Sequence, residues 1–415
     1  MNVLKIGCIA DDFTGGSDAA SFLKKGGLRV LLINGDEYDG YTPDGEAEAI
    51  VIALKTRSID AADAVAQTCR AAQWLFAHGA QQIYFKYCST FDSTDSGNIG
   101  PVTDALMEML CVPYTVLCPS LPVNGRTVTD GVLYVNGVPL SESPMRFHPL
   151  NPMTESEIAF LMGRQSKYPC VALGSTVFAE DRETLDLRLR ELASDAGHVT
   201  VVPDYDEPEH GERLAAIFGD LPLLTGGSGL LEHLAMRVCV DDAAAEKSDE
   251  VWADPRRLIL AGSCSSMTQR QVKAYLDAGG NAVRVEPAKL LDGRQTEDEL
   301  MKAVCSANGD LLVYSTAGEK EIFASDEKID MSSRLEHLMG ELAACGEKAG
   351  IRRIIVAGGE TSGAVTRRLG HALFRIGKDA APGVPVMTPL DSPDMHLVFK
   401  SGNFGDENFF LQTLV

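Results

Sequence analysis

The sequence predicts an α/β protein of two domains, each a mainly parallel sheet with flanking helices. Short β-rich apolar runs alternate with helical stretches along most of the chain, the pattern left when crossover helices cover a parallel sheet. The 415 residues amount to two or three times the ~150 residues expected of one domain. A polar tract at 241–250, with Pro255 shortly after it, interrupts the pattern. The domains are therefore set at 1–245 and 254–415.

The first apolar run, 5–10, leads straight into two aspartates and reads as a strand. Further runs at 30–33, 49–53, 82–86, 114–118, 170–173, 199–203 and 221–224 read the same way. Between the third and fourth, residues 61–78 have helical periodicity, with Ala64, Val65, Thr68, Ala71, Ala72 and Leu75 on one face. Residues 128–140 carry Gly131 and Asn136-Gly137 between β-formers, which suggests an inserted hairpin. In the second half the strands are 258–261, 282–285, 311–315 and 354–357, separated by helical segments.

Composition narrows the function. There are 37 Lys+Arg against 59 Asp+Glu, a net charge of −22, which would repel a phosphate backbone and argues against nucleic acid. Hydrophobic residues at 45% and charged residues at 23% are those of a globular chain. The N-terminus lacks the pattern of a signal peptide, and no apolar run approaches the roughly 18 residues of a membrane helix. A cytoplasmic protein with no membrane partner is expected. The ten cysteines form no C-x-x-C pair and read as reduced, mostly buried thiols.

Two polar constellations follow strands in the first half. Asp11-Asp12 precedes Gly15-Gly16, with a helix starting near Ser17. Beyond the carboxyl end of a strand, paired acids can hold substrate hydroxyls, a metal ion or a proton; the plainer alternative is that Asp11 and Asp12 cap the turn and Ser17 caps the helix. The second is 86–100, where Lys86 can meet a carboxylate while Asp92, Ser93, Thr94 and Asn98 meet hydroxyls. Arg57 is a second candidate carboxylate clamp. Asn124-Gly125-Arg126, Ser141-Glu142-Ser143 and His148-Pro149-Leu150 offer further polar contacts, and each residue has a solvated-turn alternative.

The second half carries three glycine-bearing loops: Gly262-Ser263-Cys264-Ser265, Gly358-Gly359-Glu360-Thr361 and Lys400-Ser401-Gly402-Asn403. Backbone N–H groups at helix starts of this kind can face a nucleotide phosphate. Ala364-Val365 stands where a Walker A motif has Lys-Ser/Thr, and no G-x-G-x-x-G opens a βαβ unit. Gly226-Gly227-Ser228-Gly229 is explained equally by structural tightness or ligand contact.

In this order along the whole chain, these motifs resemble the four-carbon acid sugar kinase family. Lys86-Tyr87-Cys88-Ser89-Thr90-Phe91-Asp92-Ser93-Thr94, the Gly97-Asn98-Ile99-Gly100 run, His148-Pro149-Leu150 and Pro152-Met153-Thr154 are most similar to its 3-oxo-tetronate kinase branch. Gly16 stands where Ala is expected, and Ala261 where Ser is common. The resemblance implies an N-terminal domain for the acid, a C-terminal domain for ATP, and an active site in the interdomain cleft. It implies that Asp11, Asp12, Arg57, Lys86, Asp92, Ser93, Thr94 and Asn98 meet the acid. ATP would meet Ser263, Ser265, Gly358, Gly359, Glu360, Thr361, Lys400, Gly402 and Asn403.

The implied reaction is ATP- and Mg²⁺-dependent phosphorylation of the C4 hydroxyl of a 3-oxo-tetronate. Asp12 is assigned to orient or deprotonate that hydroxyl, with Asp11 and Asp92 as rivals; the metal ligands and the oligomeric state, a homo-oligomer included, stay open. Threonate or erythronate as substrate, a nucleotide-dependent dehydrogenase, and a non-catalytic acid-sugar or nucleotide-binding regulator are the other readings.

Overall fold

The structure, a computed structural model, describes residues 4–35, 38–43, 47–147, 151–239, 255–315 and 325–412. His148 and the polar tract at 241–250 lie outside the described residues. The chain divides into two compact units, Met1–Ala243 and Ala244–Val415.

The first unit runs β1 (Ile6–Ala10), α1 (Phe13–Lys25), β2 (Val30–Asn34), β3 (Ala49–Ala53), α2 (Ala61–Ala77), β4 (Gln82–Lys86), α3 (Ile99–Met109) and β5 (Tyr114–Cys118). A small antiparallel sheet follows, of β6 (Arg126–Thr129), β7 (Val132–Val135) and β8 (Val138–Pro139). The unit closes with α4 (Ile158–Gly163), β9 (Cys170–Gly174), α5 (Arg182–Ala196), β10 (Val199–Pro203), α6 (Pro208–Phe218), β11 (Leu223–Gly226) and α7 (Leu231–Val238). Its main sheet is parallel, in the order β2-β3-β1-β4-β11-β5-β10-β9.

Every residue of β1, β3, β4, β5 and β10 is buried. Helices on both faces require this, and it explains why these strands read as unbroken apolar runs. The chain places β2 and β3 on one side of β1 and β4 on the other. At such a reversal the loops leaving adjacent strands part, opening a crevice at their carboxyl ends. Ala10, Ala53 and Lys86, the last residues of β1, β3 and β4, are in register there.

The structure moves the start of α1. The helix begins at Phe13 with Asp12 as its N-cap, accepting from the Gly15 N–H at 2.7 Å. Ser17 lies inside the helix, its hydroxyl donating to the Thr14 carbonyl at 2.9 Å. A carboxylate two residues after the strand caps the helix before Ser17 can. The expected hairpin is a three-stranded ribbon with turns at Asp130-Gly131 and Asn136-Gly137, all four residues at φ of 50–79°. Asp-Gly and Asn-Gly suit that geometry.

The second unit runs β12 (Arg257–Ala261), α8 (Ser266–Asp277), β13 (Ala282–Arg284), α9 (Pro287–Leu291), α10 (Glu297–Cys305), β14 (Leu311–Tyr314), α11 (Ser325–Lys348), β15 (Arg353–Ala357), α12 (Gly359–Leu369), β16 (Leu373–Ala381), β17 (Val384–Pro389) and β18 (His396–Lys400). Its strand order is β13-β14-β12-β15-β18-β17-β16. The reversal at β12 and β15 repeats the plan seen at β1 and β4. Ile259, Leu312, Ile355, Val398 and Phe410 are central to its core.

Three features of the second unit depart from the sequence reading, the first being β18, a fully buried strand that was not expected. β16 and β17 form an antiparallel hairpin that continues the sheet beyond β18. Its signal was the alternation of buried Phe374 and Ile376 with exposed Arg375, and the Pro382-Gly383 turn. Cys305 and Cys345 are joined in a disulfide between α10 and α11, their Cα atoms 6.6 Å apart, which corrects the reading of all ten cysteines as free thiols. Spacing along the chain could not reveal the pair, because helix packing brings together residues 40 positions apart. No helix among the described residues is long and apolar enough to cross a membrane.

Candidate functional site

In the first unit, the strand register delivers the polar residues to one edge. Asp11 and Asp12 leave β1, the loop carrying Arg57 leaves β3, and Lys86 ends β4. Backbone bonds fix the β3 loop: Leu54 N–H donates to the Ala10 carbonyl at 2.9 Å, and Thr56 N–H to the Asp11 carbonyl at 3.0 Å. The Asn98 side-chain amide holds the same loop from outside, donating to the carbonyls of Thr56 at 2.6 Å and Ile59 at 2.9 Å. Asn98 therefore positions Arg57 and has its donors engaged.

Arg57 binds Asp11 with two bonds, Nε to Oδ2 at 2.9 Å and Nη2 to Oδ1 at 2.7 Å. Nη2 also lies 3.0 Å from Asp12 Oδ1, and Nη1 lies 3.8 Å from Asp92 Oδ2. Burial pushes the Asp11 carboxyl above its ordinary pKa despite the neighbouring guanidinium. Burial acts the same way on Asp12, but Arg57, Lys86, the Gly15 N–H and the Thr14 hydroxyl outweigh it and hold Asp12 below the usual carboxylate value. Arg57 loses solvation too, yet the two aspartates hold it well above its own. The Asp12 side chain is 26% exposed against 8% for Asp11, so Asp12 is the more open of the pair.

The other predicted residues surround this cluster. Asp11, Thr56, Arg57, Asp92, Ser93 and Asn98 share one small pocket. Asp92 accepts from the Asn151 amide at 2.9 Å, and Gln165 donates to the Ser93 hydroxyl at 3.0 Å and the Thr94 carbonyl at 2.6 Å. Lys86 is buried; its ammonium donates to the Tyr87 carbonyl at 2.9 Å and lies 3.8 Å from Asp18 Oδ2, which also accepts from the Ser228 hydroxyl. Asp18, Asn151 and Gln165 escaped the sequence reading. Asp18 had a signal, one helical face shared with Thr14 in α1, while Asn151 and Gln165 reach the cluster only through tertiary packing.

In the second unit, Ala261, Ala357 and Lys400 end three adjacent strands in register. The loops beyond them converge. Gly262 and Ser263 N–H groups donate to the Ala357 carbonyl at 3.1 and 3.2 Å, and Gly358 N–H to the Lys400 carbonyl at 2.9 Å. The Gly402 carbonyl accepts from Ser265 Oγ at 2.6 Å, Thr268 Oγ1 at 2.8 Å and Lys400 Nζ at 3.1 Å.

Close approach explains the glycines. A Cβ on Gly402 would overlap Ser263 Oγ and lie 2.8 Å from Ser265 Oγ; one on Gly262 would overlap Thr361 Oγ1. Gly358 stands at φ 125°, a conformation side chains disfavour. It precedes α12 without any side-chain cap on that helix, whereas Ser265 caps α8. An uncapped N-terminus on an 11-residue helix beside a glycine cradle has the chemistry of a phosphate site.

Gly359, Glu360 and Asn403 are exposed at this edge, and Thr361 is buried. Lys400 is fully buried, and desolvation lowers its ammonium to about 7. It ties the last loop together from within, donating also to the Ser401 carbonyl at 3.0 Å. Thr268, which the sequence reading missed, completes the Ser265 cap three residues on.

Residues 6–234 match a family model described as a sugar-binding N-terminal domain, and residues 258–410 one described as a nucleotide-binding C-terminal domain. The chain is 42% identical to the 3-oxo-tetronate kinase of Brucella melitensis, over 99% of this chain and 95% of that one. It is 42% identical to that of Salmonella typhimurium, over 99% and 98%, and 40% identical to that of Cupriavidus necator, over 99% and 96%. A crystal structure from Salmonella typhimurium LT2 aligns with TM-score 0.85 at 42% identity, covering 99% of this chain and 98% of that one. One from Haemophilus influenzae aligns with TM-score 0.76 at 37% identity, covering 98% of each.

Proposed function

The chain belongs to the four-carbon acid sugar kinase family, and on that premise we propose that it transfers the γ-phosphoryl group of ATP to the C4 hydroxyl of a 3-oxo-tetronate, giving the 4-phosphate. The observation that carries this reading is the full-length similarity to 3-oxo-tetronate kinases from several bacteria. The two clusters supply fitting chemistry. One sets carboxylates and cations beside hydroxyl-bearing residues, as a polyhydroxylated acid needs; the other is a glycine cradle at an uncapped helix start, as a polyphosphate needs.

Phosphoryl transfer through a loose transition state asks chiefly for positioning and charge neutralisation. Asp12 stays ionised under the pull of Arg57 and accepts a hydrogen bond from the attacking hydroxyl, orienting it in line. The hydroxyl proton passes to Asp12 as the new P–O bond forms and the bond from the γ-phosphorus to the bridging oxygen breaks, that oxygen leaving on ADP. Asp11 holds the Arg57 fork in place, and Arg57 keeps the two neighbouring carboxylates from repelling each other and the arriving acid. Asp92, Ser93 and Thr94 meet the remaining substrate hydroxyls.

In the other unit the α12 N-terminus, Ser263, Ser265 and the 400–403 loop hold the ATP phosphates. Among the described residues no cluster of His, Cys, Asp and Glu side chains is arranged to hold a metal ion, and this reading assigns Mg²⁺ to the polyphosphate. Bound there, the ion would supply charge neutralisation to the transferring phosphoryl group.

The test is coupled ADP release with Mg-ATP and a panel of 3-oxo-tetronates, threonate and erythronate, with no-acid controls. Turnover on the oxo acids is expected. Turnover on threonate or erythronate alone would keep the family and overturn the substrate; silence across the panel with ATP-induced stabilisation would support a non-catalytic binder.

A further inference from the structure

At the end of the loop between β5 and β6, the first residue of β6 is an arginine that no acid among the described residues pairs with. Arg126 is half-buried. One of its terminal nitrogens donates to the Asn124 carbonyl, while its Nε is buried without a hydrogen-bond partner among the described residues. Two more buried groups on the preceding loop lack partners among the described residues, the Asn124 side-chain nitrogen and the Ser120 hydroxyl. No carboxylate lies at ion-pair distance from Arg126 among the described residues. A buried Nε–H and a buried amide NH₂ are obligatory donors, and leaving either unmet costs free energy that an anion would restore.

The loop is built in place. Leu121 and Arg126 exchange backbone bonds, at 2.8 and 3.1 Å, which close it into a ring. It lies against the turn after β11, where a Cβ on Gly229 would overlap the Ser120 carbonyl. Gly227 in that turn is similarly close to Pro119 and faces Ser89. The loops leaving β4, β5 and β11 therefore meet at the carboxyl edge that carries Asp11, Asp12 and Arg57. Cys88 lies within electrostatic reach of both Arg57 and Arg126, and Asp18 within reach of Arg126. Desolvation lowers the Arg126 pKa, whereas Arg57 is raised by its aspartates.

Two other cations of this edge are committed: Arg57 to Asp11 and Asp12, Lys86 to Asp18 and the Tyr87 carbonyl. We propose that Arg126, assisted by the Asn124 side-chain amide, binds the C1 carboxylate of the sugar acid and so sets the preference for an acid over a neutral sugar. Arg57 then organises the catalytic carboxylates instead of clamping the substrate. This rests on the sugar-acid reading given above.

The test is calorimetric titration without nucleotide, using a 3-oxo-tetronate and its neutral carboxamide. Wild type is expected to prefer the acid. Arg126→Met should weaken acid binding about 10- to 100-fold and change carboxamide binding by less than about 2-fold, and Arg126→Lys should recover part of the acid preference. Unchanged acid affinity in Arg126→Met, or equal weakening of acid and carboxamide, would overturn the proposal, as would a wild type that binds no acid. Should Arg126→Met fail to fold, the acid-to-carboxamide ratio of Arg126→Lys decides in the same way. ADP release by wild type tests the kinase reading separately: acid binding through Arg126 without turnover would overturn that reading and support this one.

Discussion

Arg57 donates to both carboxylate oxygens of Asp11, at 2.9 and 2.7 Å, and its Nη2 also lies 3.0 Å from Asp12. One guanidinium therefore separates the roles of two adjacent acids. Asp11 faces inward and is held by the fork, while Asp12 keeps a partly open carboxylate that also caps α1.

Removing the guanidinium leaves the buried Asp11 carboxylate without its cation, beside the partly open carboxylate of Asp12. Arg57→Ala should destabilise the first unit by about 3–5 kcal/mol, the cost of an uncompensated buried charge. Arg57→Lys should recover only part of it, since an ammonium cannot form the planar fork. Urea denaturation of the three proteins at pH 7 checks this. A loss under about 1 kcal/mol for Arg57→Ala would show that the aspartates neutralise by taking up a proton.

Asp12 carries two duties that mutation can separate. Asn caps helices about as well as Asp, so Asp12→Asn should keep the cap and lose only the charge attraction of Arg57 and Lys86, while kcat falls about 10²- to 10⁴-fold. Asp12→Ala should lose the cap as well, about 1 kcal/mol. Because folding lowers the Asp12 pKa, its stabilising contribution is present above the unfolded value of about 3.9 and fades as pH falls through the folded one. Normal turnover in Asp12→Asn, with Asp92→Asn inactive but still binding acid, would transfer the role to Asp92.

The sheets were legible because burial on both faces makes each strand a short apolar run: β1, β3, β4, β5 and β10 lie where the sequence reading set them. The hairpin was not: β16 alternates buried and exposed residues and resembles amphipathic surface, while β17, though largely buried, is interrupted by Pro385 and ends on Pro389. Within the site, Asp11, Asp12 and the three glycine loops stood out because polar residues directly after a strand have few structural uses. What stayed hidden was pairing. Nothing local to Arg57 shows that its fork is filled by Asp11, 46 residues away, or that Asn98 holds the loop on which Arg57 sits.

Gly402 tests the nucleotide cradle. An added Cβ must push away Ser263 and Ser265, and overpacking of this kind costs about 1–3 kcal/mol. Gly402→Ala should raise the KM for ATP about 10-fold or more and leave calorimetric binding of the acid unchanged. Steady-state kinetics at saturating acid reads the first, titration without nucleotide the second. An unchanged KM for ATP would remove the 400–403 loop from the phosphate site.

Lys400 offers a pH test, because among the described residues its ammonium hydrogen-bonds neutral oxygens alone, Ser401 O, Gly402 O and Thr268 Oγ1 at 3.0–3.4 Å. Desolvation brings it to about 7 in the folded chain, against about 10.4 when unfolded. Between these values the unfolded chain binds the extra proton, so folding stability attributable to Lys400 rises with pH, by at most about 1.4 kcal/mol per unit. Below pH 7 both states carry the charge, and the full cost of burying it remains. Urea unfolding of wild type and Lys400→Met at pH 6, 7, 8 and 9 isolates this, since other titrating groups cancel in the difference. Wild type should gain on the variant from pH 7 upward and run parallel to it below. A difference that stays constant to pH 9 would mean that three neutral acceptors suffice to keep the ammonium charged, and Lys400 would then hold the nucleotide loop equally well at every pH in that range.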